Sequence, residues 1–410
     1  MTFERTADPD ALGFDPARLA RIDRHFAQYV DDGRLAGWQI GVSRRGEVVH
    51  AATYGHRDRE AGLPVEPDTL WRIYSMTKPI TSVAAMMLWE EGRFELTDEV
   101  SRWIPSFADV RVYVKGSAQR PFTVPATEPV RIWHLLSHTA GLTYGFLHTS
   151  VVDAVYRSRG YEWGAPGGTD LAAACDAWAA MPLLFQPGSA WGYSVATDVL
   201  GRLVEVLSGQ SLDAFLADRV LGPLGMVDTA FWVDEDRASR LAALYTPDPA
   251  DGKAVRLDVF GNVVLSPPAM LSGGGGLVST AADYTRFTTM LLRGGALDGV
   301  RLLGPRTLRM MASNHLPGGA DLGALSTGGF AETTFEGVGF GLGFATTLDP
   351  RPSKTLGTPG EFYWGGAAST AFWVDPTEEV TVSLFTQLLP SSTHPLRPQL
   401  RQLVYAALVD

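Results

Sequence analysis

The chain has 410 residues, 45% hydrophobic and 19% charged, with a formal net charge of −11. That length predicts two or three domains, or one large two-lobed unit with a sizeable core, and the acidic balance argues against nucleic acid or an anionic membrane as the main partner. The single cysteine, Cys175, excludes an intrachain disulfide and a cysteine-rich metal site and reads as a small buried thiol. The acidic N-terminus lacks the apolar core of a secretory signal, and no run of about 18 apolar residues occurs, so a cytoplasmic protein without a membrane span is expected.

Residues 14–33 carry helical spacing, with Leu19, Ile22, Phe26 and Tyr29 on one face, and a hairpin follows from Trp38 through the turn at Arg44–Glu47 to Tyr54. Residues 77–92 are apolar nearly all round, which predicts a buried central helix ending at Gly92. From about 95 to 260 the text is rich in Pro and Gly with little strand signal, and helices are expected near 131–138, 169–181, 195–208 and 211–221. A helix over 280–294 precedes strand-like runs at 338–348, 362–364, 371–374 and 380–387, and a last helix covers 396–408. Strands at both ends with helices between predict an α/β (α+β) fold. Residues 1–94 and 261–410 would form one discontinuous domain, and 95–260 an inserted helical one.

Lysine is rare here: of 34 Lys and Arg only positions 78, 115, 253 and 354 are Lys, yet Lys78 stands in an uncharged stretch three residues after Ser75. Arginine cannot deprotonate in a protein, whereas a desolvated lysine can. At a helix start the two side chains share a face, and the positive helix end together with burial favours an alkoxide and a neutral amine. Those conditions suit an activated serine, and Pro79 fits a first helical turn. Chance alone also produces such a pair, so company matters. Tyr193 follows a Pro-Gly turn and precedes a helix, where a phenol can project into a cleft, although a core aromatic would read the same way. Further on, Trp364-Gly365-Gly366-Ala367 offers a strand whose glycines let backbone approach a ligand, or simply a bent strand.

Together, in this order, Ser75-x-x-Lys78, Tyr193-Ser194 and Trp364-Gly-Gly resemble the serine β-lactamase-like superfamily, which includes class C β-lactamases, DD-peptidases and family VIII carboxylesterases. Trp133–Leu142, Pro187-Gly-Ser and Gly273–Asp283 support the likeness, which spans about residues 15 to 405. The resemblance implies an antiparallel sheet flanked by helices and an acyl-serine mechanism. Ser75 would be the nucleophile, Lys78 or Tyr193 the base, and the backbone N–H groups of Ser75 and Ala367 the oxyanion hole. Two departures select the branch. Val195 replaces the Asn of the β-lactamase Tyr-x-Asn, and uncharged Trp364 stands where that branch has Lys or His. Both point to a neutral ester as small-molecule substrate and to the EstB type of family VIII esterase. A β-lactamase, a DD-peptidase or an acyltransferase of the lovastatin-pathway type is the alternative. Tyr144, Trp191, Tyr363, Trp364, Gly365 and Gly366 are expected around an apolar pocket, with no cofactor and no metal.

Other signals are set aside. Lys354-Thr-Leu-Gly357 is broken by Leu356, and His134-x-x-x-His138 lacks the Glu of a zinc motif and reads as structural. No Gly-x-Ser-x-Gly elbow occurs, and Gly273–Gly276 follows no phosphate-loop pattern.

Overall fold

The computed structural model describes residues 3–327 and 335–410. Helix α1, Pro16–Asp31, begins where Asp15 accepts hydrogen bonds from the N–H groups of Ala17 and Arg18, with Pro16 in the first turn. Its buried stripe, Leu19, Ile22, Phe26 and Tyr29, packs on one face of an eight-stranded sheet. The strands are β1 Gly37–Arg44, β2 Glu47–Asp58, β3 Leu63–Pro64, β4 Val338–Phe340, β5 Ala345–Thr347, β6 Phe362–Gly366, β7 Thr370–Asp375 and β8 Val380–Phe385. Their spatial order is β4-β5-β6-β7-β8-β1-β2-β3, with antiparallel neighbours throughout. The register pairs Ile40 with Leu384 and Val42 with Val382, so these four side chains meet α1 on one face.

Helix α2, Thr77–Glu90, is buried from Thr77 to Leu88, as its all-round apolar sequence requires, and packs against α3, Ala196–Ser208. Helix α4, Ala281–Leu292, lies on the second face of the sheet against β1, β7 and β8. A last helix, α5, Leu396–Tyr405, packs beside α1.

Several sequence expectations need correction. The run 338–348 is two strands, β4 and β5, broken by a turn in which Gly341 N–H bonds Phe344 O at 2.7 Å. Residues 95–260 contain two short hairpins, Arg111–Gly116 with Pro121–Pro125 and Tyr245–Pro247 with Ala254–Arg256. Pro at their ends and mixed polar composition hid them. Helices Val151–Ser158 and Pro305–Met311 were not foreseen, and the helix expected over 211–221 is α-helical only to Leu216 before a π turn.

The sheet and α5 are joined by a buried ion pair. Arg401 donates to Glu361 Oε1 at 2.5 Å, and its guanidinium lies over the rings of Tyr363 and Trp373. Tyr405 OH meets Glu361 Oε2 at 2.8 Å and Asp375 Oδ2 at 2.7 Å. Glu361→Gln leaves Arg401 without its counter-charge and should cost about 3–5 kcal/mol, read as a fall in the thermal midpoint. Adding Arg401→Met should recover much of the loss. An unchanged midpoint in the single variant would mean the pair carries no stability.

Candidate active site

Ser75 sits in a 3-10 turn, Tyr74–Met76, that runs straight into α2. The backbone of Tyr74 has φ +43°, a conformation rare for a non-glycine residue and held only where neighbours impose it. The neighbours are the segment 277–284: Ile73 N–H bonds Leu277 O, Leu277 N–H bonds Thr77 Oγ1, and Tyr284 OH bonds Met76 O. One turn further, Lys78 is 2% exposed. Its Nζ donates to Gly274 O at 2.6 Å, Tyr144 OH at 3.0 Å and Ser75 Oγ at 3.3 Å, and lies 4.6 Å from the centre of the Tyr193 ring.

Tyr193 reaches the same point from the other side. Gly192 N–H bonds His138 O, fixing the approach, and Tyr193 OH donates to Ser75 Oγ at 2.6 Å. Trp364 Nε1 lies 3.4 Å from the Tyr193 oxygen. The sequence therefore named three groups that the fold gathers within hydrogen-bond reach. A serine oxygen flanked by a lysine and a tyrosine can lose its proton, as it attacks a carbonyl, to whichever of the two is deprotonated, a neutral amine or a phenolate. Burial, reinforced by Asp198 and Tyr193, holds the Tyr144 hydroxyl well above the usual phenol range, so it remains a phenol.

The opposite wall is the turn between β6 and β7. A Cβ on Gly366 would stand 2.4 Å from Ile73 O, so only glycine lets this strand end approach the backbone that carries Ser75. Ala367 follows and lines a cavity of about 240 Å³ with Ser75. Arg397 donates to the carbonyls of Gly366 at 3.0 Å and Thr370 at 2.8 Å, the two residues that flank the turn.

The expected pocket is only partly formed as foreseen. Tyr144 lines the cavity. Trp364 and Trp191 are buried beside Tyr193 and support it without lining that cavity. Tyr363 points to the other face of the sheet, over Arg401, because neighbours in a strand face opposite ways. Gly365 shares the strand, and its part is to pair with Ala371.

Two features escaped the sequence reading. Asp198, in the first turn of α3, is 3% exposed and accepts from Ser272 Oγ at 2.5 Å and Gly274 N–H at 3.0 Å. Burial pushes its carboxyl above the usual carboxylate range, opposed by Lys78 and by those two donors. An acid in an otherwise uncharged stretch was the available signal, the same one that marked Lys78. The second is the role of the glycine run, which in the sequence supports the family likeness without a stated part in the site: Gly274 supplies the carbonyl that holds Lys78, and a Cβ there would meet Asp198 Oδ2 at 2.6 Å.

His134 and His138 do not converge on a common point. His134 Nδ1 accepts from Arg131 N–H, and His138 Nδ1 meets Ser194 Oγ at 3.2 Å. Among the described residues, no group of three or more His, Cys, Asp or Glu is placed to hold a metal ion, and no helix is long and apolar enough to cross a membrane. Lys354 Nζ bonds Arg351 O on the surface.

A fold of helices on an antiparallel sheet, with Ser-x-x-Lys opening the central helix, defines a class. The family model described as Beta-lactamase matches residues 22–406, and the chain belongs to that family. It is 37% identical over 367 residues to Protein Rv1367c of Mycobacterium tuberculosis (strain ATCC 25618 / H37Rv), covering 88% of each chain. It is 34% identical over 421 residues to Esterase EstB of Burkholderia gladioli, covering 97% of this chain and 98% of that one. Among solved structures, EstCE1, described as a hydrolase with promiscuous acyltransferase activity, matches with a TM-score of 0.79 and 29% identity, over 95% of this chain and 99% of its own.

Burial, with Arg131 adding to it, lowers the pKa of His134 to about 4. The unfolded chain takes up that proton near pH 6.5, so the folded state loses stability as pH falls from 6.5 toward 4, by roughly 3 kcal/mol in all. His134→Asn keeps an acceptor and removes the titration. Its thermal midpoint should fall less than the wild type's between pH 7.5 and 4.5. Parallel curves would show that His134 does not contribute.

Proposed function

We propose that this protein hydrolyses uncharged carboxylic esters through an acyl-serine intermediate. One observation carries the reading: Ser75 Oγ, in the lining of the cavity, is contacted by both Tyr193 OH and Lys78 Nζ, and apart from Lys78 behind it the described lining includes no Arg or Lys. An anionic lactam or peptide carboxylate would need such a cation. The 34% identity to an esterase over nearly the whole chain supports the same assignment.

In this mechanism Ser75 Oγ attacks the ester carbonyl as its proton passes to the Lys78–Tyr193 pair, which titrates as a unit. The N–H groups of Ser75 and Ala367 receive the oxyanion, worth about 3–4 kcal/mol per donor. Tyr193 then hands the proton to the leaving alcohol, and water releases the acid. Gly366 and Arg397 act through the position of Ala367. Capture of the acyl group by an alcohol instead of water is the second reading, favoured by the hydrolase with acyltransferase activity among the structural neighbours. The cytoplasmic location and the division into 1–94 with 261–410 and an inserted 95–260 belong to this proposal, with the site at the seam of the two parts.

Ser75→Ala should abolish hydrolysis of p-nitrophenyl butyrate, and Lys78→Arg, which keeps charge and removes the base, should do the same. Near-native turnover by Lys78→Arg would overturn its role. Gly366→Val should keep the circular dichroism of the wild type and lower kcat by about 100-fold, the loss expected when one oxyanion donor is displaced. An unchanged kcat would remove Ala367 from the mechanism.

A further inference from the structure

A row of aromatic rings leads from the reacting atoms to the surface. Tyr144, whose hydroxyl meets Lys78, stacks on Phe146 with centroids 4.8 Å apart and planes 24° off parallel. Phe146 stacks on Trp163 at 5.7 Å and 7°, and Trp163 meets Phe260 at 5.6 Å. The first three line the same cavity as Ser75. Trp163 is 60% exposed, unlike Trp191, which is 1% exposed and fills the core. A core role therefore accounts for Trp191 and not for Trp163. Its loop is rich in glycine, at 160, 164, 167 and 168, and on either side of Phe260 the chain exposes Val259, Val263 and Leu265. The wall holds Glu162 and, among its described residues, no cation.

We propose that the preferred substrates are esters carrying a flat, uncharged, apolar ring system, seated against Phe146 and Trp163 while the ester carbonyl lies at Ser75. This rests on the esterase reading and narrows its substrate class. Stacked aromatic faces reward a planar apolar surface, and Glu162 in the wall disfavours an anionic one. The rings belong to binding, so their effect falls on KM more than on kcat.

The test compares three unactivated esters: ethyl butyrate, 2-naphthylmethyl butyrate with the ring on the alcohol, and ethyl 2-naphthylacetate with the ring on the acyl group. Wild type should favour at least one naphthyl ester over ethyl butyrate in kcat/KM, and the favoured one identifies which side of the substrate meets the rings. Trp163→Ala should lower that ratio roughly three- to tenfold, mainly through KM, and Trp163→Phe should keep it within about twofold. A wild type with no preference, or a ratio unchanged in Trp163→Ala, overturns the proposal. Hydrolysis of none of the three by the wild type would instead remove the esterase reading and this inference with it.

Discussion

The amine of Lys78, buried at the first turn of an apolar helix, is the constraint around which the rest of the site is built. An ammonium or amine out of water is costly unless its hydrogen bonds are met. Gly274 O, Tyr144 OH and Ser75 Oγ meet them, each from a different part of the chain. Asp198 contributes from behind, fixing Gly274 through its N–H and bonding Ser272. The position of Ser75 therefore depends on the loop 272–277 as much as on its own helix.

The facing wall answers a different requirement, which is closeness. The end of β6 must come near the backbone of Ile73, and Gly366 alone allows that. Arg397 then ties both ends of the β6–β7 turn, and the pair Glu361–Arg401 fastens the same helix to the start of the same strand. The C-terminal helix thus supports the wall that presents Ala367 to Ser75, although none of its residues lines their shared cavity.

Much of this was readable from the residues because the strongest signals were local. All-round apolarity gave α2, period 3.6 gave α1, and a lone lysine in an uncharged stretch marked the site. What escaped was either short or set by partners distant in sequence. The hairpin at Arg111–Pro125 and the turn at 341–344 have too few residues to show a period. The facing of Tyr363 depends on which side of β6 meets the core, which a three-residue aromatic run does not reveal. Asp198 was in plain view in the stretch that supplied Tyr193, yet its meaning depends on Gly274, which only the fold brings to it.

Hydrolysis by the proposed route requires Ser75 to carry the acyl group. Mass spectrometry of the intact protein, quenched during turnover of a slowly hydrolysed ester and followed by peptide mapping, tests that most directly. The expected result is a transient mass increase equal to the acyl group, located on Ser75 and absent from Ser75→Ala. Turnover with no acyl adduct under any quench, or an adduct on another residue, would contradict it.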